Sequence, residues 1–177
     1  MTTAETRLAR VFGLEGEGWQ RHANPWSVYT RVPVPPLLAA AVWSRRWLGR
    51  WSLLPVGLVC VWAAVNPTVF PPPRTLDGWA SRAVLGELVW SRRRTAPVPR
   101  RHRIAPWVLT GLNVAGLPVV VRGLVVLDGR LVVAGLAVHM TGKLWFLDRM
   151  VRLYEDVAGG DDRVPGSGTA AVVTDGP

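Results

Sequence analysis

Residues 106–147 read PWVLTGLNVAGLPVVVRGLVVLDGRLVVAGLAVHMTGKLWFL. Two apolar runs, 106–127 and 131–147, flank Asp128-Gly129, a dipeptide suited to a tight turn. At about 1.5 Å of helix per residue, the first run is long enough for a ~30 Å hydrocarbon core. Hydrocarbon cannot hydrogen-bond a backbone, so a run of this kind satisfies its own amides as a helix. The stretch therefore predicts a helical hairpin in a membrane.

Upstream, a shorter pair of apolar runs covers 34–47 and 51–65. Pro35 and Pro36 suit a helix start, and Asn66-Pro67 is expected to stop the second run. Either the pair spans as a thin hairpin or it is re-entrant. Trp43, Trp47 and Trp51 would lie at the interface, with Arg45 and Arg46 reaching toward water. Between the two hairpins, Phe70-Pro71-Pro72-Pro73 excludes regular helix. Asp77 then reads as the N-cap of a helix running to about Arg93, with Trp79, Ala83, Gly86 and Trp90 on one stripe. That pattern predicts an amphipathic helix in the interface. The fold class is thus all-α: an integral membrane bundle of about four transmembrane helices in two hairpins, plus one interfacial helix.

The chain has 177 residues, with 21 Lys+Arg against 12 Asp+Glu, and it is 49% hydrophobic. Basic clusters alternate with apolar runs. Its basic character follows from membrane orientation, and nucleic acid is not expected as a partner. The organisation expected is a cytoplasmic N-terminal segment over 1–31, a membrane domain over 32–157 that includes a cytoplasmic segment over 66–105, and a disordered tail over 158–177. A short helix is expected over 2–12, from the Thr2 to Glu5 capping box. No cleavable leader is legible, so the first apolar run is expected to stay in the membrane. Cys60 reads as a small buried hydrophobe.

Four spans would put both ends and the central segment on one side. That side carries sixteen basic residues, and the two turns carry five. The positive-inside rule makes the richer side cytoplasmic.

Polar residues at membrane depth need partners. Asn113, His139 and Thr141 fall at similar depth on facing helices, which predicts interhelical hydrogen bonds. On the cytoplasmic side the candidates for acid–base chemistry are His22, His102, Glu87 and Asp148. Those for binding are Asn24, Asn66, Lys143 and Arg149. Their spacing matches no metal pattern, and no metal or cofactor is expected. Asn24 and Asn66 each precede a proline and also fit helix caps.

Four stretches carry a resemblance: EGEGWQRHANPWSVYTR (15–31), NPTVFPPP (66–73), WASRAVLGELVW (79–90) and GKLWFLDRMVRLYED (142–156). Together they resemble a family of small prokaryotic multi-pass membrane proteins of unknown function, over residues 11–156. The resemblance implies a location in the cell's inner (plasma) membrane and supplies no activity. It draws attention to His22, Asn24, Asn66, Glu87, Asp148 and Arg149, which lie within those motifs.

The leading expectation is a non-enzymatic protein that binds anionic lipid headgroups, a second copy of itself or another membrane protein through a cytoplasm-facing polar site. Arg149 and Lys143 would hold the anion, and Glu87 and Asp148 would hold them. The rival is an enzyme on a lipid or isoprenoid, with His22 or His102 as acid–base and Glu87 or Asp148 as partner. A small transporter is a third reading, for which four short spans with one buried His offer little pathway.

Overall fold

The structure is a computed structural model and describes residues 21–94 and 98–161. The helix expected over 2–12 and the tail beyond 161 lie outside these residues. Every regular element among the described residues is helical: α1 Pro25–Arg31, α2 Val34–Trp43, α3 Arg45–Leu48, α4 Leu53–Val69, α5 Trp79–Ser91, α6 Ala105–Val126 and α7 Gly129–Asp161. Short 3-10 turns fill Gly49–Ser52 and Arg100–His102.

The first hairpin has α1 to α3 as one arm and α4 as the other. Pro33, Pro35 and Pro36 each lack an amide hydrogen, yet the arm stays helical across them. Val32 N–H donates to the Val28 carbonyl at 3.1 Å and Leu37 N–H to the Pro33 carbonyl at 3.0 Å. Residues 25–48 thus make a helical path of about 36 Å. Gly49 then reverses the chain at φ +54°, a left-handed conformation that suits glycine. α4 returns antiparallel, so that Asn66 meets Ser27 and the Trp62 indole donates to the Thr30 carbonyl at 3.3 Å.

Asn66-Pro67 does not stop α4, which continues to Val69. Proline removes one donor from a helix, and here the Thr68 hydroxyl and the buried Asn66 amide make bonds of their own nearby. The helix ends at Phe70, where the triple proline takes over. Cys60 is exposed on α4, contrary to the reading of it as buried. Most of α4 faces outward, and a thiol is apolar enough to do so in lipid.

The second hairpin is set by glycines at seven-residue spacing, Gly116 and Gly123 on α6, Gly135 and Gly142 on α7. A Cβ on Gly116 would lie 2.6 Å from the Gly135 carbonyl oxygen, and one on Gly142 would lie 2.6 Å from the Asn113 amide. Without side chains the two backbones come close, as small residues allow between membrane helices. Leu127 ends α6 in the left-handed conformation, and the Asp128 carboxylate accepts from the Arg130 amide at 2.8 Å to start α7. Across the seam, the Asn113 amide donates to the His139 carbonyl at 3.0 Å, and His139 Nδ1 bonds the Asn113 carbonyl at 2.9 Å. Thr141 is exposed and takes no part in this exchange.

The two hairpins point the same way. Arg45, at the first tip, donates to the carbonyls of Leu124 and Val125 beside the second tip. Ala39, Val120 and Val132 pack together below them, with Trp43 against the group. The opposite end, the base, holds α5. This helix starts after Gly78, in extended conformation, so Asp77 is not its N-cap. Its neighbours cover it on several sides. Ala80 and Val84 pack on Ala23 and Val28, Ala83 packs on Leu147 and Val151, and Leu88 and Val89 pack on Met150 and Leu153. Gly86 lies directly on the Met150 backbone, with no room for a Cβ.

α7 has 33 residues, about 50 Å of helix. That exceeds a ~30 Å hydrocarbon core, and its base end carries α5. It stays helical to Asp161, so the segment expected to be disordered from 158 is helical over its first residues.

Three segments, Pro25–Val69, Arg100–Val126 and Gly129–Gly159, are long and apolar enough to cross a membrane. The first of these, 45 residues long, folds on itself at Gly49 into the two antiparallel arms of the first hairpin. The outward faces are apolar: Leu53 is 70% exposed, Leu58 72% and Ile104 75%. Water would make so much continuous apolar surface costly, and lipid removes the cost.

Candidate functional site

The base assembles a polar cluster from three separate stretches. Asn24 begins it by capping α1: its side chain accepts from the Trp26 amide at 2.9 Å and donates to the Pro71 carbonyl at 2.9 Å. The cap fixes the seven-residue helix whose last residue is Arg31. There the guanidinium donates to the Ser27 carbonyl at 3.1 Å and lies 3.1 and 2.9 Å from the two ring nitrogens of His22. α5 brings Glu87, one residue beyond the Gly86 crossing. α7 brings Lys143, one residue beyond Gly142, which packs on Leu109 and Asn113.

Glu87 is half-buried and makes no hydrogen bond or ion pair among the described residues. Burial pushes its carboxyl above the usual range, and Lys143 and then Arg31 pull it part of the way back. Burial, with Arg31 beside it, lowers the His22 imidazole to about 4. His22 is therefore neutral near pH 7. Among the described residues two cations, Arg31 and Lys143, act on one carboxylate, Glu87. An arrangement of this kind can hold an anion.

The other candidates fall elsewhere. Asn66 is wholly buried, accepting from the Ser27 hydroxyl at 2.9 Å and donating to the Thr30 hydroxyl at 2.7 Å. It ties the first hairpin together at its base. His102 is buried and bonded to Asp156, which Arg101 also contacts at 2.6 Å. That pair anchors the turn before α6 to the end of α7. Asp148 pairs with Arg152 one turn along α7 at 3.1 Å, and is not joined to Glu87. Arg149 makes no hydrogen bond or ion pair among the described residues. The convergence of His22, Glu87 and Asp148 that acid–base chemistry would need is thus absent. Of the binding set, Lys143 acts on Glu87 electrostatically, without an ion pair between them.

Arg31 was missed as a site residue. It lies inside the HANPWSVYTR motif, but a basic residue before an apolar run is fully accounted for by orientation. Asp156 was missed likewise, hidden among the charges of RLYED. Only the fold brings either to its histidine.

The fold and its apolar outer faces define an all-α membrane protein with a polar cluster at one end. Over residues 3–172 the chain matches DUF6653, a family of unknown function, and it belongs to that family. Comparison with curated proteins and with solved structures returns no match.

Proposed function

We propose that this protein is a multi-pass protein of a prokaryotic inner membrane that binds anionic lipid headgroups at its base. On this reading both termini and the base face the cytoplasm, and the first hairpin crosses the bilayer. The sixteen-to-five distribution of basic residues supports the orientation. The arm over 25–48, about 36 Å long, supports a crossing.

The carrying observation is that α5 packs between the helix that carries Arg31 and the helix that carries Lys143, so that both cations act on its half-buried Glu87. Their depth suits headgroups. Lys143 follows a glycine packed at the level of Leu109, next to Trp107, which is 58% exposed and of a type favoured at interfaces. Arginines of the same end add non-specific attraction, about 1 kcal/mol for each one close to an anionic surface.

Native mass spectrometry of protein extracted from membranes tests this. Anionic phospholipid is expected to remain bound to the wild type, and to fall roughly tenfold in occupancy in Arg31→Gln/Lys143→Gln, as the loss of about 1.4 kcal/mol would give. Equal retention of the same lipids by the double variant would reject the site. The same spectrum reports whether a second copy binds.

A further inference from the structure

The ion pairs among the described residues all lie at the base, where Arg82, Arg101, His102 and Arg152 meet Glu155, Asp156 and Asp148. The tips are different. Arg45, Arg46 and Arg50 on the first and Arg122 and Arg130 on the second stand with one carboxylate, Asp128. That carboxylate accepts from the Arg130 and Leu131 amides at 2.8 and 3.4 Å, so it is engaged in starting α7. Arg45 is engaged by the carbonyls of Leu124 and Val125, a contact that also sets the two tips side by side. Four guanidiniums are left at one shared end. We propose that this end is a second headgroup surface, which gathers anionic phospholipid in the leaflet opposite the base. The inference rests on the membrane crossing proposed above and is independent of the base cluster.

Arg122 carries the argument. It lies on α6 four residues before Val126, about 6 Å of helix from its end. Pro118, Val121, Val125 and Val126 around it are all exposed, so this part of α6 presents an apolar surface to lipid. Arg122 is exposed among them and makes no hydrogen bond or ion pair among the described residues. A guanidinium left in hydrocarbon is costly, so the side chain must run along the helix to the headgroup layer, and one turn is within its reach. A phosphodiester in that layer can accept two parallel N–H bonds from it. Arg46 and Arg50 are held for the same layer, over the Trp43 ring at 5.3 Å and the Trp51 ring at 5.9 Å. Stacking occupies the face of a guanidinium and leaves the N–H donors at its edge. Trp47 and Trp51 are 74% and 60% exposed, and indoles settle at headgroup level. A soluble polyanion would meet the outermost arginines, but it would not reach Arg122 through the surrounding lipid.

Lipid counting tests the surface. Full-length protein is placed in phosphatidylcholine nanodiscs containing phosphatidylglycerol and released into the mass spectrometer with its bound lipids. Arg46→Gln/Arg50→Gln/Arg122→Gln leaves Arg45 and its contact with α6 in place. Its phosphatidylglycerol occupancy is expected to fall roughly tenfold below wild type, with phosphatidylcholine unchanged. The loss should be as large in an Arg31→Gln/Lys143→Gln background. Arg122→Lys keeps a charge that can reach the same layer, and should retain more phosphatidylglycerol than Arg122→Gln. Thermal melts in pure phosphatidylcholine discs check folding. Arg122→Gln alone, at an exposed position, supplies the test if the triple variant does not fold. Undiminished phosphatidylglycerol on the tip variants overturns the proposal and leaves the tips to a soluble acidic partner. Equal loss of both lipids, or loss of all bound phosphatidylglycerol in the base variant alone, also overturns it. Loss in the tip variants with none in the base variant supports the tip surface and rejects the base site.

Discussion

Burial disfavours the charged forms of both Glu87 and His22, and this has opposite consequences on the two sides of neutrality. The Glu87 carboxyl has a folded pKa above its unfolded one, so its ionised form is less at home in the fold. Stability is therefore expected to decline as pH rises through that folded value. Glu87→Gln removes the decline, and its melting temperature in detergent should match or exceed that of the wild type above pH 7. A lower melting temperature there would mean that the cations need the carboxylate more than burial opposes it. His22 runs the other way. Its folded value of about 4 lies below the ordinary 6.5, so the unfolded chain binds the proton first. Stability is fully present above pH 6.5 and is lost as pH falls toward about 4. The imidazole is only partly buried, so solvent screening moderates the loss. Melts of His22→Gln across that window should show a shallower slope than wild type.

Helix contacts depend on small residues at particular positions. Gly86 has the Met150 backbone where a Cβ would go. Gly86→Ala should destabilise the protein by ~1–3 kcal/mol, since overpacking displaces α5 from α7. Gly111 sits on α6 with nothing within 4 Å of its hypothetical Cβ. Gly111→Ala should be neutral or stabilising by up to ~1 kcal/mol, because alanine loses less backbone entropy in a helix. Chemical denaturation of both variants checks the contrast, and similar destabilisation by each would contradict the packing described. The Asn113–His139 exchange lies on the same seam. Asn113→Leu, His139→Leu and the double variant form a cycle whose coupling should fall in the ~0.6–2 kcal/mol found for hydrogen bonds between membrane helices.

Both tips lie at one end of the molecule, and the described chain enters and leaves at the other. A bilayer crossed by this bundle must therefore separate the Gly49 and Asp128 turns from the arginine-rich base. In a Cys60→Ala background, Arg130→Cys at the tip should react with a membrane-impermeant maleimide on intact cells. Arg100→Cys at the base should react only after permeabilisation. The reverse pattern would invert the orientation, and labelling of both from outside would remove the membrane reading altogether. The long α7 gives the molecule its asymmetry: one end is level with the tips, and the other supports α5.

Hydrophobicity is a property of each stretch by itself, so 106–127 and 131–147 announced a membrane hairpin before any contact was known. The charge imbalance and the Asp128-Gly129 turn were legible for the same reason. Facing depths along two antiparallel helices even paired Asn113 with His139. Which side chains share the base was not legible, because Arg31, Glu87 and Lys143 come from three distant stretches. Their meeting depends on how α5 crosses α7 at Gly86, a close approach decided by backbone contact between helices. Sequence distance carries no information on that crossing. Local pattern sets what a segment is, and packing alone sets what it stands beside.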